Sequence, residues 1–243
     1  MEIGKHVSTL VKDVADGVLE LIYPPKCLIC GELGCPWICD ACRAKIDPVP
    51  QPYCPTCGHP MFDVFCNSCH GRRRSFTAAR AAGEYSGVLK EAVHHFKFNG
   101  HRMLAPILAD LFYAYLIHST DFPWRSADVI IPIPIRNARK RERGYNQSEL
   151  LAEELSRLIN KPLARNAVKR IGSSHPQVNL SREERLKNVK GAFQVVFPSE
   201  LVKKKVLLID DVATTCSTVH ECSRTLLDAG ASKVYVLCLA FDS

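Results

Sequence analysis

No stretch of this 243-residue chain is apolar for long enough to cross a bilayer. The first 22 residues hold Glu2, Lys5, Lys12, Asp13, Asp16 and Glu20, so the uninterrupted apolar run of a secretory signal is missing too. The expectation is a protein without membrane insertion that stays in the cytoplasm, where thiols are kept reduced. Disulfides are then a poor account of its twelve cysteines, and metal binding becomes the leading one. Two common nucleotide signatures are absent as well. There is no G-x4-G-K-[ST], which disfavours a P-loop NTPase, and no G-x-G-x-x-G follows a strand. Acidic residues are in modest deficit, 25 against 32 Lys and Arg, for a net charge of +7. That surplus favours anionic partners such as nucleic acid, nucleotides or phosphates without choosing among them.

What is present divides into three textures. Ile3, Val7, Leu10, Val11, Val14, Val18, Leu21 and Ile22 recur at three-and-four spacing, which predicts an amphipathic packing helix within 1–25, closed by Pro24 and Pro25. Residues 26–71 are rich in Cys, Pro and Gly and too short and irregular to build a core alone. From 76 to 243 the pattern alternates. Strands are expected at 78–85, 128–133, 164–171, 193–197, 206–209 and 233–241. Helices are expected at 87–98, 102–118, 146–160 and 217–229, with a polar loop at 172–191. Strands alternating with helices imply an α/β domain built on a mainly parallel sheet covered on both faces.

Eight of the cysteines form a tandem repeat. Cys27, Cys30, Cys39 and Cys42 read C-x2-C-x8-C-x2-C, and Cys54, Cys57, Cys66 and Cys69 repeat that spacing 27 positions later. A C-x2-C knuckle brings two thiolates to one side of a tight turn, and two knuckles complete a tetrahedral shell for Zn²⁺. Gly31 and Gly58 follow the second cysteine of each unit and let the backbone turn. Metal binding would supply the folding free energy that this coreless segment lacks. Four thiolates close the shell, so about two structural zinc ions are expected. His59 and His70 flank ligand cysteines and could substitute for one as ligands, though a flanking histidine is more often a loop residue. Cys35 falls outside the repeat.

The strongest chemical signal is Val206-Leu-Leu-Ile-Asp210-Asp211-Val-Ala-Thr214-Thr215-Cys216-Ser217-Thr218. An apolar run of this kind is a central parallel strand, and ligands of open α/β sheets sit beyond the carboxyl ends of such strands. The hydroxyl-rich loop opens a helix whose free amides and positive dipole end suit a phosphate. Two adjacent acids suit the vicinal hydroxyls of a ribose, directly or through Mg²⁺.

This segment resembles the signature with which type I phosphoribosyltransferases bind phosphoribosyl pyrophosphate (PRPP). Three others narrow the resemblance: Glu84-Tyr-Ser-Gly-Val-Leu-Lys with Phe96-Lys-Phe-Asn-Gly, then Ile131-Pro-Ile-Pro with Arg141-Glu-Arg143-Gly144-Tyr145-Asn146-Gln147, then Gln177-Val-Asn-Leu with Arg185-Leu-Lys-Asn188 to Phe193. Together with the cysteine repeat they are similar to the ComF family of competence-associated proteins. The resemblance implies that Asp210 and Asp211 hold the ribose hydroxyls, as catalytic or ligand-binding acids. Thr214, Thr215, Cys216, Ser217 and Thr218 would cradle the 5′-phosphate, and the turn containing Arg139, Lys140, Arg141, Arg143 and Gly144 would face the pyrophosphate. Residues 172–191 would form a lid bringing Arg182 or Arg185 to the ligand. The family normally has glycine where this chain has Cys216, so a side chain there is expected to crowd the phosphate or strain the loop. The implied setting is natural competence, with handling of single-stranded DNA and contacts to DNA-import proteins. The alternative is an active phosphoribosyltransferase passing phosphoribose from PRPP to an unidentified acceptor. For the DNA, Arg72, Arg73, Arg74, Arg136 and the Arg139–Arg143 group, with Tyr53, Phe62, Phe65, Phe76 and Tyr145 among them, suggest a cationic surface with interleaved aromatics.

Overall fold

The computed structural model describes residues 24–35, 37–71, 73–171 and 189–242. The expected N-terminal helix, Arg72, and most of the expected lid with Arg182 and Arg185 lie outside the described residues. The chain divides into two compact units, the first ending at Lys45 and the second beginning at Ile46. The division falls between the two cysteine sets, not after both of them.

The first unit is organised by its cysteines. Cys27 pairs with Trp37 and Lys26 with Leu33 in isolated bridges, and a single helical turn, α1 (Asp40–Arg43), carries Cys42.

The second unit is built on four parallel strands in the order β1 (Ala78–Glu84), β6 (Lys233–Phe241), β5 (Lys205–Ala213), β2 (Val129–Pro132). β5 lies inside because both of its faces are apolar: Val206, Leu207, Leu208 and Ile209 are all fully buried. Alternation along the strands sends Val206, Leu208, Val234, Val236, Cys238, Ala79, Ala81 and Ile131 to one core. Helix α6 (Ser217–Asp228) joins that core through Val219, Cys222 and Leu226. Across the sheet, α3 (Leu104–His118) packs on β1 and β6, while α5 (Gln147–Ile159) packs on β2, β5 and α3. Helix α2 (Gly87–Phe98) leads from β1 towards α3 and buries Leu89, Ala92, Val93 and Phe96 at three-and-four spacing.

Three features depart from the sequence pattern. β5 runs on through both acids to Ala213, because β6 continues beside it as far as Phe241. The expected strands at 164–171 and 193–197 shorten to β3 (Val168–Arg170) and β4 (Phe193–Val195). These form an antiparallel pair of their own outside the parallel sheet. The basic turn at 139–144 is a helix, α4 (Asn137–Arg143), and Gly144 ends it in the left-handed region. No residue of α4 is buried, so it has no apolar period for a pattern reading to find.

Candidate functional site

The four thiols of each cysteine set lie within 4.8 Å of one another. In the first set, burial raises the Cys27 thiol, but hydrogen bonds from the amides of Cys30, Cys39 and Ile29 outweigh it and bring it down to about 6. Cys42 is pushed up to about 12 by burial and by the neighbouring thiols. Four thiols crowded together in this way, with amides aimed at one sulfur, suit a cation that neutralises several thiolates at once. The two four-cysteine sites therefore fit structural Zn²⁺, with all four positions taken by protein.

The acid pair stands at the carboxyl end of β5 beside groups from three other elements. Asp210 accepts from the Ser148 hydroxyl of α5 at 3.0 Å and from the Asp211 amide at 3.0 Å. Lys97, near the end of α2, forms an ion pair with Asp211 at 3.1 Å, both side chains being more than four-fifths buried. Burial first, and the Asp211 charge second, raise the Asp210 carboxyl to about 7, with Lys97, the Asp211 amide and Ser148 pulling the other way. The two acids are thus different groups: Asp211 pairs with the Lys97 ammonium, while burial and the Asp211 charge resist the ionisation of Asp210.

A group of arginines drawn from separate segments feels the same charges. Burial, then the charges of Arg136 and Arg139, lower Arg170 of β3 to about 10, with Asp210 opposing them. Arg143 is lowered by burial and Arg139, and raised by Asp211. Arg136, Arg139, Arg143 and Arg170 therefore share one electrostatic neighbourhood with the acids. A cluster of like charges tolerated at such a place favours an anion between them. Lys140 turns away to Glu149 at 3.5 Å, and Arg141 is exposed. The Arg143-Gly-Tyr-Asn-Gln147 segment is fastened down. The Tyr145 hydroxyl donates to the Phe96 carbonyl, Arg102 donates to the Gly144 carbonyl at 2.7 Å, and Asn146 Nδ2 donates to the Ile133 carbonyl at 3.0 Å. Arg143 Nε, Asn146 Oδ1 and Gln147 Nε2 are buried without a hydrogen-bond partner among the described residues. Buried polar atoms of this kind are costly unless something else satisfies them.

The hydroxyl loop follows as expected, with the Thr215 and Ser217 hydroxyls 2.6 Å apart. Cys216 occupies the N-cap of α6 with φ 56° and ψ 17°, the conformation glycine adopts most cheaply. The loop is therefore strained at this residue, but the side chain is not where the sequence placed it. The thiol is 3% exposed and lies 3.9 Å from His59 Nδ1, turned into the protein. Burial raises it to about 12, so it is an inert thiol.

Sequence reasoning missed Lys97, Ser148, Arg170 and His59. Lys97 stood in one of the quoted segments, and its signal was a lysine inside an apolar helical pattern. Ser148 and Arg170 carried no sequence signal, since neither belongs to a spaced motif. Of the aromatics suggested for DNA, Phe76 and Tyr145 are buried, and Tyr53 lies under Arg80 with its hydroxyl on Asp121 at 3.2 Å. Phe62 and Phe65 stand out from the second ribbon, 89% and 66% exposed.

Two four-cysteine sites that fit zinc, in a chain whose parallel α/β domain carries an acid pair and a hydroxyl loop at the end of its central strand, define a double zinc-ribbon protein with an α/β domain. Comparison with known proteins agrees. The double zinc ribbon domain matches residues 18–73. Competence protein F of Haemophilus influenzae is 33% identical over 211 residues, covering 84% of this chain and 90% of that protein. DNA utilization protein YhgH of Escherichia coli is 30% identical over 225 residues, 90% and 98% of the two chains. Competence protein ComFC of Bacillus subtilis is 29% identical over 203 residues, 79% of each. The chain belongs to the ComF family. Among solved structures, a purine phosphoribosyltransferase from Pyrococcus horikoshii is similar at 21% identity and a TM-score of 0.32, over 58% of this chain and 72% of that one. The glutamine PRPP amidotransferase of B. subtilis is similar at 18% and 0.36, over 58% and 26%. Among the described residues no helix is long and apolar enough to cross a membrane.

Proposed function

We propose that this protein binds PRPP, as its Mg²⁺ complex, at the end of β5 and acts in the uptake or use of DNA. The observation that carries the reading is the meeting of opposite charges there: Asp210 and Asp211 share an electrostatic neighbourhood with Arg136, Arg139, Arg143 and Arg170. A phosphorylated ribose with a pyrophosphate needs both. Its vicinal hydroxyls would donate to the carboxylates, and its phosphates would meet the guanidinium groups and the start of α6. Mg²⁺ carried by the pyrophosphate would find hard oxygen ligands in the acids. Thr214, Thr215, Ser217 and Thr218 would hold the 5′-phosphate. The relatives' names, Competence protein F, ComFC and DNA utilization protein, support the biological setting. PRPP with Mg²⁺ should raise the unfolding temperature of the wild type by mass action, the native state gaining about 2.7 kcal/mol at a hundredfold excess over Kd. Asp210→Asn with Asp211→Asn should remove the shift. A double variant that responds as the wild type does would refute the site.

A second reading, contact with single-stranded DNA, is supported by the exposed Phe62 and Phe65. Arg74 is tied to backbone carbonyls, so the contact rests on those two rings and the exposed Arg73. Transfer of phosphoribose to an acceptor remains the enzymatic alternative. Release of pyrophosphate from PRPP in the presence of an added base, amine or nucleic acid would establish it.

A further inference from the structure

The cysteine repeat treats its two units alike, and the fold does not. In the first unit, the space around Gly31 is open, with nothing within 4 Å of where a Cβ would stand. In the second, a Cβ on Gly58 would stand 2.5 Å from the Ala79 carbonyl oxygen and 2.6 Å from the Phe241 ring, so the knuckle is pressed against β1 and β6. Cys54 and Cys57 are part of the main core, and the Ala79 amide donates to the Thr56 carbonyl at 2.8 Å.

From that fixed position each knuckle reaches the hydroxyl loop. His59, two residues past Cys57, stacks on Phe241 with ring centroids 4.8 Å apart. Its Nε2–H donates to the Thr214 carbonyl at 2.7 Å, which leaves Nδ1 to accept from the Cys216 thiol. Arg74 donates to the Thr215 carbonyl at 3.4 Å and to the carbonyl of Ser68, which lies between Cys66 and Cys69. A trans peptide points its N–H opposite to its C=O. Holding the carbonyls of Thr214 and Thr215 towards the ribbon therefore turns the amides of Thr215 and Cys216 away from it. Neither amide makes a backbone hydrogen bond among the described residues. Successive free amides beside a left-handed residue form an anion-binding nest.

We infer that His59 is a positioning residue for the phosphate loop, and that the second cysteine set, through His59 and Arg74, braces that loop in its anion-binding form. The inference rests on the phosphate-binding reading above and gives the two zinc sites different jobs. The repeat supplies its own control. The counterpart of His59, 27 positions earlier, is Glu32, whose carboxylate has no hydrogen to donate. Both residues serve their own ribbon alike through the backbone, the Cys27 amide donating to the Glu32 carbonyl at 2.8 Å and the Cys54 amide to the His59 carbonyl at 2.9 Å. Only the side chain at 59 carries the extra role.

The test uses the full chain, with ribose 5-phosphate as the probe and amide hydrogen exchange of residues 213–219 measured without ligand. His59→Ala should speed exchange across the loop and weaken ribose 5-phosphate binding about tenfold. His59→Gln keeps an N–H donor and should recover most of both. Cys69→Ser, which loosens the second metal site, should reproduce the faster exchange. Glu32→Ala should leave the loop unchanged. Wild-type exchange and affinity in His59→Ala, no recovery in His59→Gln, or an equal loop response to Glu32→Ala would each overturn the brace. If the wild type binds no ribose 5-phosphate, the phosphate reading falls with the affinity arm, and the ligand-free exchange still decides whether the ribbon holds the loop.

Discussion

Asp210→Asn should stabilise the ligand-free protein above neutral pH while abolishing its response to PRPP. The asparagine is isosteric, and its Oδ1 accepts from Ser148 and from the Asp211 amide as the carboxylate does. What disappears is a charge that the fold disfavours, since burial and Asp211 raise the carboxyl from 3.8 to about 7. A folded-state pKa above the unfolded one means that the native state binds the extra proton. The associated stability is complete below the unfolded value and drains away as pH rises from about 4 to about 7. At 1.36 kcal/mol per pH unit, ionising Asp210 in the fold costs on the order of 4 kcal/mol at pH 8. The two acids titrate as a pair, so the substitution should return about 2–4 kcal/mol of it. Urea unfolding of the two proteins at pH 5 and pH 8, followed by circular dichroism, measures this directly. The wild type should lose stability between the two pH values and Asp210→Asn should lose much less. A variant that is less stable than the wild type at pH 8, or that shows the same pH dependence, would refute the placing of a disfavoured charge at 210. The same variant should show no thermal shift with Mg²⁺ and PRPP, because the hydroxyls and the metal need the carboxylate that the empty fold resists.

Metal analysis of freshly purified protein should return two zinc ions per chain, and one after Cys27→Ser with Cys30→Ser; one or none in the wild type would refute two closed sites. Cys216→Gly should change ribose 5-phosphate affinity by less than about threefold, or ~0.7 kcal/mol, because the thiol faces His59; a tenfold tightening in calorimetry would mean that the side chain crowds the ligand after all. Phe62→Ala with Phe65→Ala should weaken single-stranded DNA binding at least tenfold and leave PRPP binding unchanged, at roughly 1–3 kcal/mol per stacked base; undiminished binding across a salt series would remove the ribbon tip as the DNA contact.

The parts of the fold legible in the sequence are those that repeat a local rule. Val206 to Ile209 announce a central strand because a strand buried on both faces has no polar position to spare. The three-and-four spacing of Leu89, Val93 and Phe96 announces α2 for the same kind of reason. The cysteine sets are legible because a tetrahedral metal site fixes the spacing of its own ligands. Helix α4 was not, since a fully exposed helix of charged residues carries no period. Nor was the separation of β3 and β4 from the main sheet, which depends on pairing partners rather than on composition. Of the site, the acid pair and the hydroxyl loop could be read from one continuous segment. Lys97, Ser148 and Arg170 could not, because they come from three separate elements, α2, α5 and β3, that only tertiary packing brings to Asp210 and Asp211.

The second ribbon shows where such reading stops for a physical reason. A tandem repeat specifies metal geometry twice and says nothing about what each copy leans on. The copy next to the α/β domain has Cys54 and Cys57 in that domain's core, while the compact unit holding the other copy ends at Lys45. Once a knuckle is fixed against β1 and β6, any donor just past it lies near the end of β5, because Ala213 and Phe241 are register partners. A histidine at 59 then meets the Thr214 carbonyl without further design, whereas a glutamate at the matching position of the other copy has no hydrogen to offer. Glycine and the cysteine found at 216 can both adopt the left-handed turn. With cysteine the turn costs roughly 1–2 kcal/mol, and the burial of the thiol against His59 offsets part of that strain. The substitution is therefore tied to the ribbon rather than to the ligand, and the residue to vary together with Cys216 is His59.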